Sequence, residues 1–235
     1  MEQKKANRLA LLSHVLPFAA WLLLMSMLNH LGPAGAWKYA VRMGLCMALL
    51  VGLRPWRWYG RARLRNVPLA LGVGVLVYVV WVFPEVQWTE RMPLIQELYQ
   101  RFAIFPLGRL PEVELPSIYD PAVCGWPLTL CRLAGSALVI AVIEEFFWRG
   151  FLYRWLIDRD FLRVDLGRFD CEAFAVMGLL FGLEHNRWLA GIIAGVAYGL
   201  LMVKTRDLWA AALAHVLTNL ILGIHVLVSG NYVFW

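Results

Sequence analysis

Charge is scarce in this chain. Asp, Glu, Lys and Arg make up 16% of its 235 residues, while 61% are hydrophobic; soluble domains carry roughly 25% charged residues. The mean hydropathy of +0.62 excludes an ordinary soluble fold. Strict apolar–polar alternation is also missing, which excludes an outer-membrane barrel. Helices remain as the way to satisfy every backbone polar group in lipid. Cysteine is sparse, with four in all. Cys46 and Cys171 stand alone; Cys124 and Cys131 flank the start of an apolar run where a disulfide is chemically allowed. Their spacing fits no zinc pattern, and buried thiols are expected. Neither a His-Glu-x-x-His pair nor a Gly-x-Ser-x-Gly elbow is present.

What charge there is has a pattern. The net charge of +6 would suggest nucleic acid in a soluble protein. Here the bases gather at four places instead. Lys4, Lys5 and Arg8 precede the first apolar run, and Arg54, Arg57, Arg61, Arg63 and Arg65 crowd one loop. Arg159, Arg163 and Arg168 fill another connection, and Lys204 and Arg206 a third. These places fall on one side if the spans alternate, so the basic charge sets topology and no nucleic-acid partner is expected. No small-residue cleavage site follows the first run, which is therefore expected to be a retained span.

Seven spans are expected, at about 8–28, 36–53, 66–83, 127–157, 173–187, 188–204 and 208–228. The fold class is thus an all-α polytopic membrane helical bundle. It lies in the inner (cytoplasmic) membrane, with the N-terminus cytoplasmic and the C-terminus external. Trp37, Trp56, Trp58, Trp126, Trp188 and Trp209 sit near span ends, as in an interfacial aromatic belt. The fifth span is short and invites a re-entrant reading. One long external connection, 84–126, holds six acidic residues against Arg91, Arg101 and Arg109, and is broken by Pro93, Pro106, Pro111, Pro116 and Pro121. Within it Leu94, Ile95, Leu98, Phe102 and Phe105 fall at helix-like spacing, which fits an interfacial amphipathic helix or a segment packed over the bundle. In the sixth span Gly191, Gly195 and Gly199 form a stripe that lets helix backbones approach closely.

Three short motifs inside these apolar runs carry chemistry. Ionisable groups in hydrocarbon cost roughly 2.5–3.5 kcal/mol each on insertion scales, so the adjacent Glu144 and Glu145 need a reason. Glu145 and Arg149 are four apart, share a helix face and stand in the favourable acid-first order. Glu144 points about 100° away. The two carboxylates therefore have different environments, the condition that separates a structural ion from a general base. Phe181 precedes His185 by four, and His215 precedes Asn219 by four. At about 1.5 Å per residue, Glu144 lies about 20 Å, His185 about 18 Å, Asn219 about 16 Å and His215 about 10 Å from the cytoplasmic ends of their spans. His215 and Asn219, one turn apart, can both donate to one oxygen. Glu184 and His225 fall toward the outer end, and His14 and His30 join no motif. Ser136 has no base beside it.

Glu144-Glu145-Phe-Phe-Trp-Arg149, Phe181-Gly-Leu-Glu-His185 and His215-Val-Leu-Thr-Asn219, in that order, resemble the signature of the type II CAAX prenyl endopeptidases. The wider family is that of the CAAX proteases and bacteriocin-processing enzymes, once called Abi proteins. The text around the first two motifs is similar to the bacterial branch associated with exosortase systems. The resemblance covers roughly 127–228. It implies a catalytic helical core in 127–235, preceded by N-terminal spans and the external loop in 1–126, together one structural unit. It also implies an intramembrane glutamate endopeptidase acting on a membrane-associated peptide or protein. In that scheme Glu144 activates water, His185 positions it, His215 and Asn219 stabilise the oxyanion, and Glu145 with Arg149 organises the site. No cofactor is required, and an exosortase-type sorting system is a possible partner.

Two rival readings stay open. Glu144, His185 and His215 could instead bind zinc, with the other glutamate as base. Alternatively, buried Glu and His could build a proton relay in a transporter or non-catalytic assembly partner. Paired internal repeats and broken helices would favour transport; the sequence shows neither.

Overall fold

A computed structural model describes residues 2–85, 92–104 and 115–235, with side chains from residue 7 onward. The described chain is helical throughout: α1 (Glu2–Asn29), α2 (Ala36–Leu53), α3 (Val67–Val82), α4 (Pro93–Phe102), α5 (Trp126–Ile157), α6 (Cys171–Leu183), α7 (Trp188–Thr205) and α8 (Leu208–Ser229). Six of these segments are long and apolar enough to cross a membrane. Only 22–50% of each such apolar window is buried inside the protein. The rest presents side chains such as Leu23, Met27, Val51, Leu76 and Leu138 outward, where a bilayer and not water matches them. The protein is a multi-pass membrane protein.

The fifth expected span differs from expectation. Instead of running over 173–187, it is α6, 13 residues long and ending at Leu183. Its length of about 20 Å falls short of the roughly 30 Å hydrocarbon thickness. The four polar residues Glu184 to Arg187 end it, and His185 therefore sits in a turn and not on the helix. Asp170 opens α6 by accepting from Ala173 N at 3.0 Å. Asp207 opens α8 in the same way, accepting from Trp209 N at 3.1 Å.

Helix α5 is not uniform. It widens into π-helical turns over Gly135–Ile140 and Phe146–Leu152, with one α-helical turn, Ala141–Glu145, between them. Such widened turns are rare and concentrate at functional sites. The glutamate pair closes the α-helical turn between the two.

The chain forms two compact units, one from residues 2–61 and 115–164, the other from 62–85, 92–104 and 165–235. In the first, α1 packs on α2 and on α5. In the second, α3 packs on α8, and α7 packs on α6, α8 and α3. The expected glycine stripe is at work here: a Cβ on Gly191 would lie 3.0 Å from Gly182 Cα, and one on Gly182 would lie 2.8 Å from Trp188 O. Backbone cannot yield as a flexible side chain can, so α6 and α7 need glycine at this crossing. Trp37, Trp126, Trp188 and Trp209 open their helices, and Trp56 and Trp58 lie just past α2.

In the long connection, α4 covers the expected amphipathic segment, and its Leu94, Ile95, Leu98 and Phe102 are exposed. It is tied to α7 by Trp188 Nε1, which donates to Phe102 O at 2.9 Å. Arg91, Phe105, Pro106, Arg109 and Pro111 lie outside the described residues, as do the side chains of Lys4 and Lys5. The four cysteines are unpaired; Cys46 is buried, Cys124 and Cys131 are partly buried, and Cys171 is exposed.

Candidate active site

The first unit carries the glutamates. Arg149 Nη1 donates to Glu145 Oε1 at 2.9 Å, and both side chains are fully buried. The expected ion pair is present, and the acid-first spacing of four accounts for it. Glu144 is 7% exposed. A network the sequence did not reveal lies one turn further along α5. Arg154 donates to Val164 O, Leu162 O and Gly150 O at 2.9, 3.1 and 3.2 Å. It thereby fastens the connection after α5 to the helix end. Tyr59 Oη, 3.0 Å from Gly150 O, also meets His14 Nε2 at 2.8 Å. His14, outside every motif, is thus a structural residue of this unit.

The second unit carries the histidines. His185 Nδ1 lies 2.8 Å from Phe181 O. A carbonyl can only accept, so Nδ1 holds the proton and, in the neutral ring, Nε2 holds the lone pair. This is the physical content of the Phe-x-x-x-His spacing: the backbone four residues earlier fixes the tautomer. The Phe181 ring then sits against both histidines, with centroids 4.9 Å from His185 and 5.9 Å from His215. His215, 4% exposed, stacks on Tyr198 at 4.9 Å. Tyr198 Oη donates to Thr218 Oγ1 at 2.7 Å, and Thr218 in turn lies 2.8 Å from Gly74 O. The helix turn bearing His215 and Asn219 is thereby pinned to α7 and α3. Asn219 is partly buried.

The turn that holds His185 has its own anchor. Arg187 forks onto Glu85, with Nε–Oε1 at 2.6 Å and Nη2–Oε2 at 2.8 Å, and reaches Val233 O at 3.3 Å. Tyr99 Oη donates to Glu85 Oε1 at 2.8 Å. Burial and the adjacent carboxylate push the Tyr99 hydroxyl pKa up, so it stays a neutral donor. Trp81 meets the His185 ring edge-on at 5.3 Å. Glu85, Tyr99, Tyr198 and Arg187 were invisible as site supports, because each partner lies on another element, 14 residues away for Tyr99 and 102 for the Glu85–Arg187 pair. Arg187 is only 5% exposed, and breaking a buried pair leaves an uncompensated charge costing about 3–5 kcal/mol. Glu85→Gln should therefore lower the melting temperature of the purified protein clearly, and Tyr99→Phe much less. Equal melting of Glu85→Gln and the parent would show the pair to be dispensable.

The six motif residues divide between the units: Glu144, Glu145 and Arg149 in one, His185, His215 and Asn219 in the other. Among the described residues, no three His, Cys, Asp or Glu side chains are grouped to hold a metal ion. Sequence comparison supplies the remaining observation. Residues 126–221 match the type II CAAX prenyl endopeptidase Rce1-like family. No curated protein and no solved structure matches the chain. The matched segment contains all three motifs and bears out the resemblance they suggested. It indicates a peptidase embedded in the membrane. Helices α1 to α4 lie outside the match, as do Glu85 and Tyr99, two members of the Arg187 anchor.

Proposed function

We propose that the protein is an intramembrane endopeptidase that hydrolyses a peptide bond of a membrane-associated protein or peptide with water activated by Glu144. The observation that carries this reading is the pair of adjacent buried carboxylates, of which Glu145 is held by Arg149. Glu144 takes a proton from water as the water oxygen attacks the peptide carbonyl carbon. His185, with its lone pair on Nε2, accepts a hydrogen bond from the water's second hydrogen and so orients it. The carbonyl oxygen becomes an oxyanion that His215 and Asn219 stabilise. The C–N bond then breaks, and the proton on Glu144 passes to the departing amine. Glu145 and Arg149 keep the helix turn in register and take no proton.

The substrate is a transmembrane or membrane-anchored polypeptide, and a sorting system of the exosortase type is one setting in which it would occur. Mass spectrometry of membrane-protein termini in cells with the parent protein or Glu144→Gln tests this. New termini confined to the parent are expected; identical termini in both would overturn it. With α6 counted as a short seventh crossing, which Arg187 just past its end supports by pairing with Glu85 at the end of α3, the basic loops support a cytoplasmic N-terminus and an external C-terminus. A reporter fused near residue 110 should then read external, and a cytoplasmic signal there would reverse the orientation.

A further inference from the structure

Where α1 passes into α2, the first unit holds a cavity of about 80 Å³, lined among others by Met25, Leu28, Lys38, Tyr39, Arg42 and Tyr119. None of its lining residues is acidic. The guanidinium of Arg42 lies 3.9 Å from the Trp21 ring centre and 5.2 Å from that of Tyr39. A second guanidinium, that of Arg132 on α5, lies 4.4 Å from the same Tyr39 ring and 5.2 Å from Tyr119. Two arginines thus share one tyrosine at the end of a membrane-spanning unit.

Aromatic rings account for part of this arrangement. A cation over a ring gains less than a charge inside a spanning helix costs. The ring contacts also use only the flat face of a guanidinium. Its N–H donors lie in the plane and need acceptors of their own. Arg42 Nε is buried and has none. The Tyr39 hydroxyl, on a residue 4% exposed, has no acceptor either. Lys38 gives one hydrogen to Gly32 O at 2.9 Å and has two more. The site is tightly built, since a Cβ on Gly135 would meet Tyr39 Oη at 2.8 Å. Among the lining side chains only Asn29 and the two tyrosine hydroxyls carry oxygen acceptors, and none is an anion that would balance the cations.

We propose that this cavity binds a phosphate oxyanion through Arg42, Lys38 and the Tyr39 hydroxyl, with Arg132 supplying charge from behind the Tyr39 ring. Tetrahedral oxygens accept from several directions at once, which suits a fork, an ammonium and a hydroxyl better than one planar carboxylate does. The volume exceeds the roughly 30 Å³ of one water and admits a single phosphate group. Arg42 is six residues into α2, about 9 Å along the helix. That is a depth at which a phospholipid headgroup can be drawn in, with Met25 and Leu28 meeting its apolar part. Free phosphate presents the same chemistry.

The test uses the purified full-length protein and needs no substrate. Melting is followed in phosphate-free maltoside micelles, in the same micelles with added phosphatidylglycerol, and in the same micelles with millimolar inorganic phosphate. A ligand of the folded state raises the melting temperature in proportion to RT ln(1 + [L]/Kd). Phosphatidylglycerol should raise it if the source is a lipid, and inorganic phosphate alone should do so if the source is the free ion. Tyr39→Phe keeps the ring packing and removes one donor, and Arg42→Lys keeps the charge and removes the fork. Each should weaken the apparent affinity about tenfold, the loss of one charge-assisted hydrogen bond. Arg61→Gln, at an exposed position, should leave it unchanged. No shift with either probe would overturn the proposal, as would equal weakening by Arg61→Gln, which marks general charge attraction.

Discussion

Glu144→Gln is expected to abolish cleavage while leaving a folded, normally melting protein, and Glu145→Gln to lose both activity and stability. The two residues are neighbours of the same type, so only their surroundings can separate them. Glu145 faces Arg149 at 2.9 Å with both side chains inaccessible to solvent. Removing one charge of such a pair costs about 3–5 kcal/mol, because the other stays buried. An amide still accepts a hydrogen bond but does not neutralise the guanidinium. Glu144, also buried at 7% exposure, loses a charge that hydrocarbon disfavours, so its amide is tolerated and can raise the melting point. What Glu144→Gln cannot do is take a proton from water, a step worth roughly 10²–10⁴-fold. Melting curves in detergent beside a cleavage assay separate the variants. Equal loss of stability in both would remove the division of roles.

Much of this was legible because membrane burial makes sequence patterns strict. Each long apolar run had to become a helix, and all seven did. A spacing of four with acid before base had to juxtapose Glu145 and Arg149. The glycine stripe at 191, 195 and 199 meets α6, through its backbone at Gly191 and Gly195 and through the Phe174 ring at Gly199. What escaped was of two kinds. The widened turns around Ala141–Glu145 leave no trace in the sequence, since widened and ordinary α-helical turns are built from the same residue types. The supports of the histidines escaped because they are long-range. Glu85 reaches Arg187, and Tyr198 holds His215 by stacking while bonding to Thr218. His185 was carried onto a helix that stops two residues short of it. There the apolar run gives way to Glu184, and the backbone turns before the next span.

Asn219→Ala should cut turnover by roughly 10²–10³-fold while leaving the Michaelis constant nearly unchanged. The expectation follows from where charge appears. His215 and Asn219 are one turn apart on α8, and that turn is pinned through Thr218 to Gly74 O and Tyr198. Donors held this rigidly need no reorganisation when a carbonyl oxygen becomes negative. They act on the transition state far more than on bound substrate, so their loss lowers the rate constant and spares capture. His215→Ala should behave alike, with some added loss of stability because its ring fills space against Tyr198 and Phe181. Two donors to one oxygen work as a unit, so the double variant should lose less than the product of the single losses. A zinc site predicts a different split. His215→Ala would then remove a ligand and release metal, whereas Asn219→Ala would leave metal bound. Turnover and metal content measured on the three variants together decide between water activated by glutamate and water activated by zinc. If all three cleave at the parent rate, His215 and Asn219 form no oxyanion site, and the proposed chemistry fails with them.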